Sequence, residues 1–238
     1  MKHSSSFADK RIAVIGATGG IGRSTAIAFA DAGATVVAAG RSLDKLTGWP
    51  DEASITNAFM DILEQESIEA FFAEHGEFDH LVCTAASTKT GSMGDLALHD
   101  AEAAMASKFW GAYRVARSAL LASNGSITFV SGQLSERPSA TSVLQGAINA
   151  AIEAMGRGLA LERAPLRVNT VSPGIIDTPL HDRIPLEQRK PIFEKIASSL
   201  PARRIGSAED VAEAILFCAG NAFVTGATIN VDGGGRIA

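Results

Sequence analysis

Three glycines carry the first chemical signal. Gly16, Gly20 and Gly22 lie in the run Gly16-Ala17-Thr18-Gly19-Gly20-Ile21-Gly22, directly after the apolar segment Arg11 to Ile15. A strand bending sharply into a helix needs positive φ at the turn, and bare N–H groups at a helix N-terminus attract phosphate. Thr18, Gly19 and Ile21 complete the cradle, which predicts a pyrophosphate site and hence a dinucleotide. About twenty residues further on, such a fold carries an acid for a free ribose 2′-hydroxyl or a basic group for a 2′-phosphate. Here that place holds Gly40-Arg41-Ser42, with no acid before Asp44. The Arg41 guanidinium can grip phosphate through two parallel N–H bonds, and Ser42 can add a hydroxyl. NADP(H) is the expected cofactor.

These groups need a frame. The pattern predicts strands at 11–15, 35–39, 56–60, 80–84, 126–131, 167–171 and 228–231. It predicts helices at 21–32, 64–75, 97–122, 142–163, 185–200 and 207–220. Gly33 stops the first helix and Ala164-Pro165 the fourth. Alternation of this kind predicts an α/β fold: one doubly wound, Rossmann-type domain with a parallel sheet covered on both faces. The domain is expected over 9–238, with 1–8 a disordered tail. The segment 182–200, charged outside and apolar at Ile184, Leu186, Ile192, Phe193 and Ile196, is expected to be a mobile substrate lid.

Composition excludes other classes. The 238 residues are 46% hydrophobic and 20% charged, with net charge −5 and no Lys/Arg-rich run. No nucleic-acid partner is expected. No apolar stretch suits a signal peptide or membrane helix, so no membrane partner is expected and the cytoplasm is the expected location. Cys83 and Cys218 read as buried free thiols. His75 and His80 flank Asp79 at an expected solvent-facing turn with no cysteine at ligand spacing, so no metal site is expected. Lys89, His99 and His181 border the expected substrate side, and Trp110 reads as core or interface.

Further blocks strengthen the nucleotide reading. Val171-Ser172-Pro173-Gly174-Ile175-Ile176-Asp177-Thr178-Pro179, the ending Phe223-Val224-Thr225-Gly226 … Val231-Asp232-Gly233-Gly234, and Arg157, Glu162-Arg163 … Arg167-Val168-Asn169 follow in order. With the glycine run, they resemble the short-chain dehydrogenase/reductase family over about residues 9–235. The resemblance implies seven strands in order 3-2-1-4-5-6-7. It implies that Asp61 and Ile62 flank the adenine, that Thr84, Ala85 and Ala86 follow strand four beside the cofactor, and that Pro173, Gly174, Ile176 and Thr178 hold the nicotinamide end. It also implies a small carbonyl or alcohol substrate, and a homodimer or homotetramer through helices 97–122 and 142–163. Ala147, Ala150, Ala151, Ala154 and Gly158 form a small-residue stripe, open to a second subunit or to burial within the chain.

The departures fall at the reacting centre. The family's Tyr-x-x-x-Lys positions are Gln145 and Asn149; the only tyrosine is Tyr113, and no lysine lies between Lys108 and Lys190. The asparagine of the preceding helix is Lys108. The usual serine falls at Gly132, with Ser131 one step away and Ser135 further on. Gln145 cannot supply a proton but can donate a hydrogen bond to an oxyanion. Asn149 can bond ribose hydroxyls without a charge, and Lys108 can restore the cation, or the proton if burial lowers its pKa. Three readings stay open: a carbonyl reductase with a rewired proton supply from Lys108, Gln145 and Ser131; a non-catalytic NADP(H)-binding sensor or assembly partner; and a cofactor-free scaffold, against which the intact glycine run counts.

Overall fold

The computed structural model describes residues 7–50, 54–182 and 184–238. The first strand, β1 (Arg11–Ile15), passes through the glycine turn into α1 (Gly20–Asp31), then β2 (Thr35–Gly40) and β3 (Ile55–Phe59). The chain continues through α2 (Gln65–His75), β4 (Phe78–Cys83), α3 (Leu98–Met105), a π-helical turn (Ala106–Trp110) and α4 (Gly111–Ser118). There follow β5 (Leu121–Val130), α5 (Val143–Glu162), β6 (Arg167–Pro173), β7 (Ile176–Asp177), α6 (Leu186–Ser199), β8 (Gly206–Ser207), α7 (Ala208–Gly220) and β9 (Thr228–Val231). Seven strands form one parallel sheet in the order β3-β2-β1-β4-β5-β6-β9. The expected sheet and strand order are present.

Alternation along β1 divides the core. Ile12 and Val14 pack with Phe29 of α1 and Val211 and Ile215 of α7 on one face. Ala13 and Ile15 pack with Phe71 and Phe72 of α2, Val115 of α4 and Ile148 and Ile152 of α5 on the other. Both faces being dry, β1 and β2 read as near-continuous apolar runs. Arg167 closes the far end of α7: its guanidinium donates to the carbonyls of Cys218, Ala219, Asn221 and Val224. A cation there satisfies helix-end carbonyls and opposes the dipole.

Several expectations change. The helix expected over 97–122 is interrupted by the π-turn and stops at Ser118, and β5 already starts at Leu121, five residues before the expected strand. The mixed apolar run 119–125 fits either state by pattern, and pairing with β4 decides it. The short β7–β8 pair was not foreseen, because two-residue strands carry no periodicity. Of the expected tail, residues 1–6 lie outside the described residues. Phe7 is buried, edge-on to Phe29, and its N–H bonds the Ala32 carbonyl. His80 is not on the solvent side: it is buried in β4 with Nδ1 2.8 Å from Ser126 Oγ. Trp110 is not core; it is part-exposed, edge-on to Phe109 and Tyr113. Ala147, Ala150, Ala154 and Gly158 face outward, so the stripe is not packed within the chain. Cys83 and Cys218 are buried free thiols, as expected. Among the described residues no helix could cross a membrane and no group of metal-binding side chains occurs.

Candidate active site

The C-terminal ends of β1, β2 and β4 open on a cleft of about 250 Å³. Gly16, Thr18 and Gly19 form its floor, Gly40 and Arg41 one end, Met60, Ile62 and Leu63 an apolar wall, and Thr84, Ala85, Ala86, Ser87 and Ser107 the opposite side. The glycines are there for want of space. A Cβ on Gly16 (φ +94°) would lie 2.5 Å from Ala85 N, and one on Gly22 would lie 2.3 Å from the Gly16 carbonyl. Their absence lets α1 start directly against β1 and β4. α1 has no side-chain cap and no acid in its first turn. Its free N–H groups and positive dipole end therefore remain for an anion. Bare backbone, an exposed arginine at one end and an apolar wall fit a dinucleotide phosphate, a 2′-phosphate and an adenine ring, respectively.

Some expected cofactor residues lie outside the cleft lining. A Cβ on Gly20 would meet Thr178 Cβ at 2.8 Å, so the Thr178–Pro179 segment lies over the start of α1. This brings Thr178, directly after β7, to the glycine turn. Ile176 is buried in β7, and Gly174 is fixed by the close approach of Asp232. Asp61 does not line the cleft; its Oδ1 accepts from Leu63 N at 3.0 Å, while Ile62 forms part of the wall. Ser42 is also outside the lining and opens a short turn in which Lys45 N bonds its carbonyl. Ile21 and Gly22 belong to the first turn of α1.

Next to Ser107 the expected catalytic residues form one buried network. Lys108 Nζ donates to the Ser131 carbonyl at 2.8 Å and to Asn149 Oδ1 at 2.7 Å. Gln145 Nε2 donates to the same Oδ1 at 3.4 Å, and Asn149 Nδ2 donates to the Gly132 carbonyl at 3.1 Å. Asn149 is thus turned inward, onto Lys108 and Gly132. Gln145 Oε1 is buried without a partner among the described residues. Burial pulls the Lys108 pKa down from 10.5 to about 8, while the charge of Glu153 resists the fall. Gly132 stands where serine was expected: a Cβ there would lie 2.9 Å from Asn149 Nδ2. The two departures fit each other sterically.

Glu153 escaped the sequence reading. It is buried on α5, and its Oε1 accepts from Ser131 Oγ at 2.8 Å and Ser135 Oγ at 2.6 Å. Its signal was spacing: Gln145, Asn149 and Glu153 fall four apart along one face of α5. Met60, Leu63, Ser87 and Ser107 were also missed; only three-dimensional proximity brings them to the cleft. Lys89 is exposed and paired with Asp100 at 2.8 Å, beside the exposed His99, and His181 stacks edge-on against Phe193 of α6.

The family model described as enoyl-(acyl carrier protein) reductase matches residues 16–235. The chain belongs to the short-chain dehydrogenase/reductase family. This short-chain dehydrogenase/reductase is 31% identical to a glucose 1-dehydrogenase of Gluconobacter oxydans, over 96% of this chain and 92% of that protein. It is 30% identical to the 3-oxoacyl-[acyl-carrier-protein] reductase FabG of Thermotoga maritima, over 93% and 95%. A solved small-chain dehydrogenase in complex with NADPH superposes with TM-score 0.81 at 33% identity, covering 96% of this chain and 99% of that one. Its relatives are oxidoreductases, and the family binds nicotinamide cofactors.

Proposed function

We propose that this short-chain dehydrogenase/reductase uses NADP(H) and reduces a small carbonyl compound with a rewired proton supply. The cleft carries the reading: it joins an uncapped helix start, an arginine at the β2 end and an apolar wall. Gly16, Thr18 and Gly19 would hold the pyrophosphate, Arg41 the 2′-phosphate, and Met60, Ile62 and Leu63 the adenine. When bound, the nicotinamide supplies the hydride. Lys108 provides the proton: its ammonium gives one N–H proton to the substrate oxygen, becomes an amine, and is recharged from solvent. A lysine with a pKa of about 8 is matched to that task near neutral pH. Its working form is present below about pH 8 and lost above it. The exposed small-residue face of α5 would meet a second copy of the chain.

One observation favours a second reading, a cofactor-binding protein without turnover: Ser131 Oγ is committed to Glu153, and Lys108 already donates to two protein acceptors. Two measurements separate the readings. Fluorescence titration with NADPH and NADH should favour NADPH, and Arg41→Ala should weaken NADPH about tenfold or more through loss of charge-assisted bonds. NADPH consumption over a panel of aldehydes, ketones and diketones should fall on an alkaline limb near pH 8 and drop about 10²–10⁴-fold in Lys108→Ala. Tight NADPH binding without turnover would favour the second reading. Failure to bind either nucleotide refutes both.

A further inference from the structure

We propose that Glu153 is a positioning residue of this site, a counter-charge linked to Lys108 through Ser131 that keeps the buried amine protonated. The proposal rests on the reading of Lys108 as proton donor. Ser131 stands between the two charges: its carbonyl accepts from Lys108 Nζ at 2.8 Å, and its Oγ donates to Glu153 Oε1 at 2.8 Å. Ser135 adds a second hydroxyl to the same oxygen at 2.6 Å. Both charged side chains are buried, 9% and 7% exposed.

A buried ammonium without an anion loses its proton, because desolvation penalises the charged form. A direct ion pair has the opposite effect and holds the proton too firmly to give it away. An anion one residue removed lies between these extremes. Lys108 donates to neutral acceptors, the Ser131 carbonyl and the Asn149 amide oxygen. The field of Glu153 restrains, without cancelling, the loss of proton affinity that burial imposes. Among the described residues the other titratable group acting on Lys108 is Cys83 of β4, whose thiol burial pushes up to about 12, leaving it neutral. The arrangement also accounts for the altered residue types. The cation expected at position 149 stands one helix away at 108, and an anion has appeared one turn beyond Asn149.

The test is a ¹³Cε NMR titration of the lysines in the full chain, with Lys108 assigned by its loss in Lys108→Arg. The wild type should titrate near 8. Glu153→Gln keeps the shape and removes the charge; Lys108 should then titrate about one unit or more lower, a tenfold loss of proton affinity. The alkaline limb of kcat/KM should move by the same amount while NADPH affinity holds. A merely structural Glu153 would change yield or denaturation midpoint and leave the titration in place. An unmoved Lys108 titration overturns the proposal whatever the turnover. Should Glu153→Gln not fold, the wild-type ¹³Cδ signal of Glu153 decides: a step in register with Lys108 supports the coupling, and its absence overturns it. Loss of NADPH binding would strike the cofactor reading and leave the titration result standing, so the two failures are distinguishable.

Discussion

His80 gives this fold a calculable weakness in acid. It lies in β4 with Nδ1 2.8 Å from Ser126 Oγ and its ring edge-on to Phe7. Burial pulls its pKa from 6.5 to about 4, the charge of Arg167 adds to the fall, and Asp79 opposes it. The folded state therefore binds the proton more weakly than the unfolded chain. Above about pH 6.5 neither form is protonated and His80 has no effect. As pH falls towards 4 the unfolded chain takes a proton that the folded chain refuses, and stability declines; below 4 the loss levels off. A gap of about 2.5 units at about 1.4 kcal/mol per unit amounts to ~3 kcal/mol, a large share of the ~5–15 kcal/mol typical of a native domain. Glutamine at 80 keeps a hydrogen-bonding group for Ser126 and does not titrate. Urea denaturation of wild type and His80→Gln between about pH 7.5 and pH 4 should show the variant losing ~3 kcal/mol less than the wild type. Parallel stability curves would refute the reasoning.

Two more substitutions follow from packing. Gly22→Ala places a methyl 2.3 Å from the Gly16 carbonyl and must push α1 away from the turn, so NADPH binding measured by calorimetry should fall at least tenfold while the far-UV spectrum is kept. Asn149→Leu removes the acceptor at 2.7 Å from the buried Lys108 Nζ. It should destabilise the chain by about 1–3 kcal/mol in urea denaturation, and more below pH 8 than above it, because only the ammonium needs that acceptor.

The parts legible in the sequence were those fixed by local rules. The glycine run gave the turn because only a residue without Cβ fits between Gly16, Ala85 and Thr84. β1 and β2 were readable because strands dry on both faces are nearly continuous apolar runs. His80 was misplaced because its neighbours in sequence, Asp79 and Glu77, are polar. Its burial comes from Phe7 and Ser126, which lie far from it along the chain. Ser131, Lys108, Gln145 and Asn149 were nominated through the family pattern, and the structure brings them together. The pattern had no place for Glu153, since it names groups that act directly and passes over a charge that acts through a neighbour. Met60, Ile62 and Leu63 line the cleft on either side of Asp61, and Arg41 lines it beside Ser42.

The π-turn at Ala106–Trp110 has an evolutionary consequence. An α-helix advances about 100° per residue, so a single added residue accommodated as a bulge shifts every later side chain to a different face unless the wider turn absorbs it. Lys108 occupies that wider turn, with α3 in register before it and α4 in register after it. Point substitutions can exchange the side chain at 108 without disturbing either flank. A one-residue deletion within 106–110 would restore regular winding and leave Val115 and Ala116 in the core, because the wider turn had absorbed the extra residue. The wider turn therefore governs where the side chain at 108 points and leaves the packing of α4 unchanged.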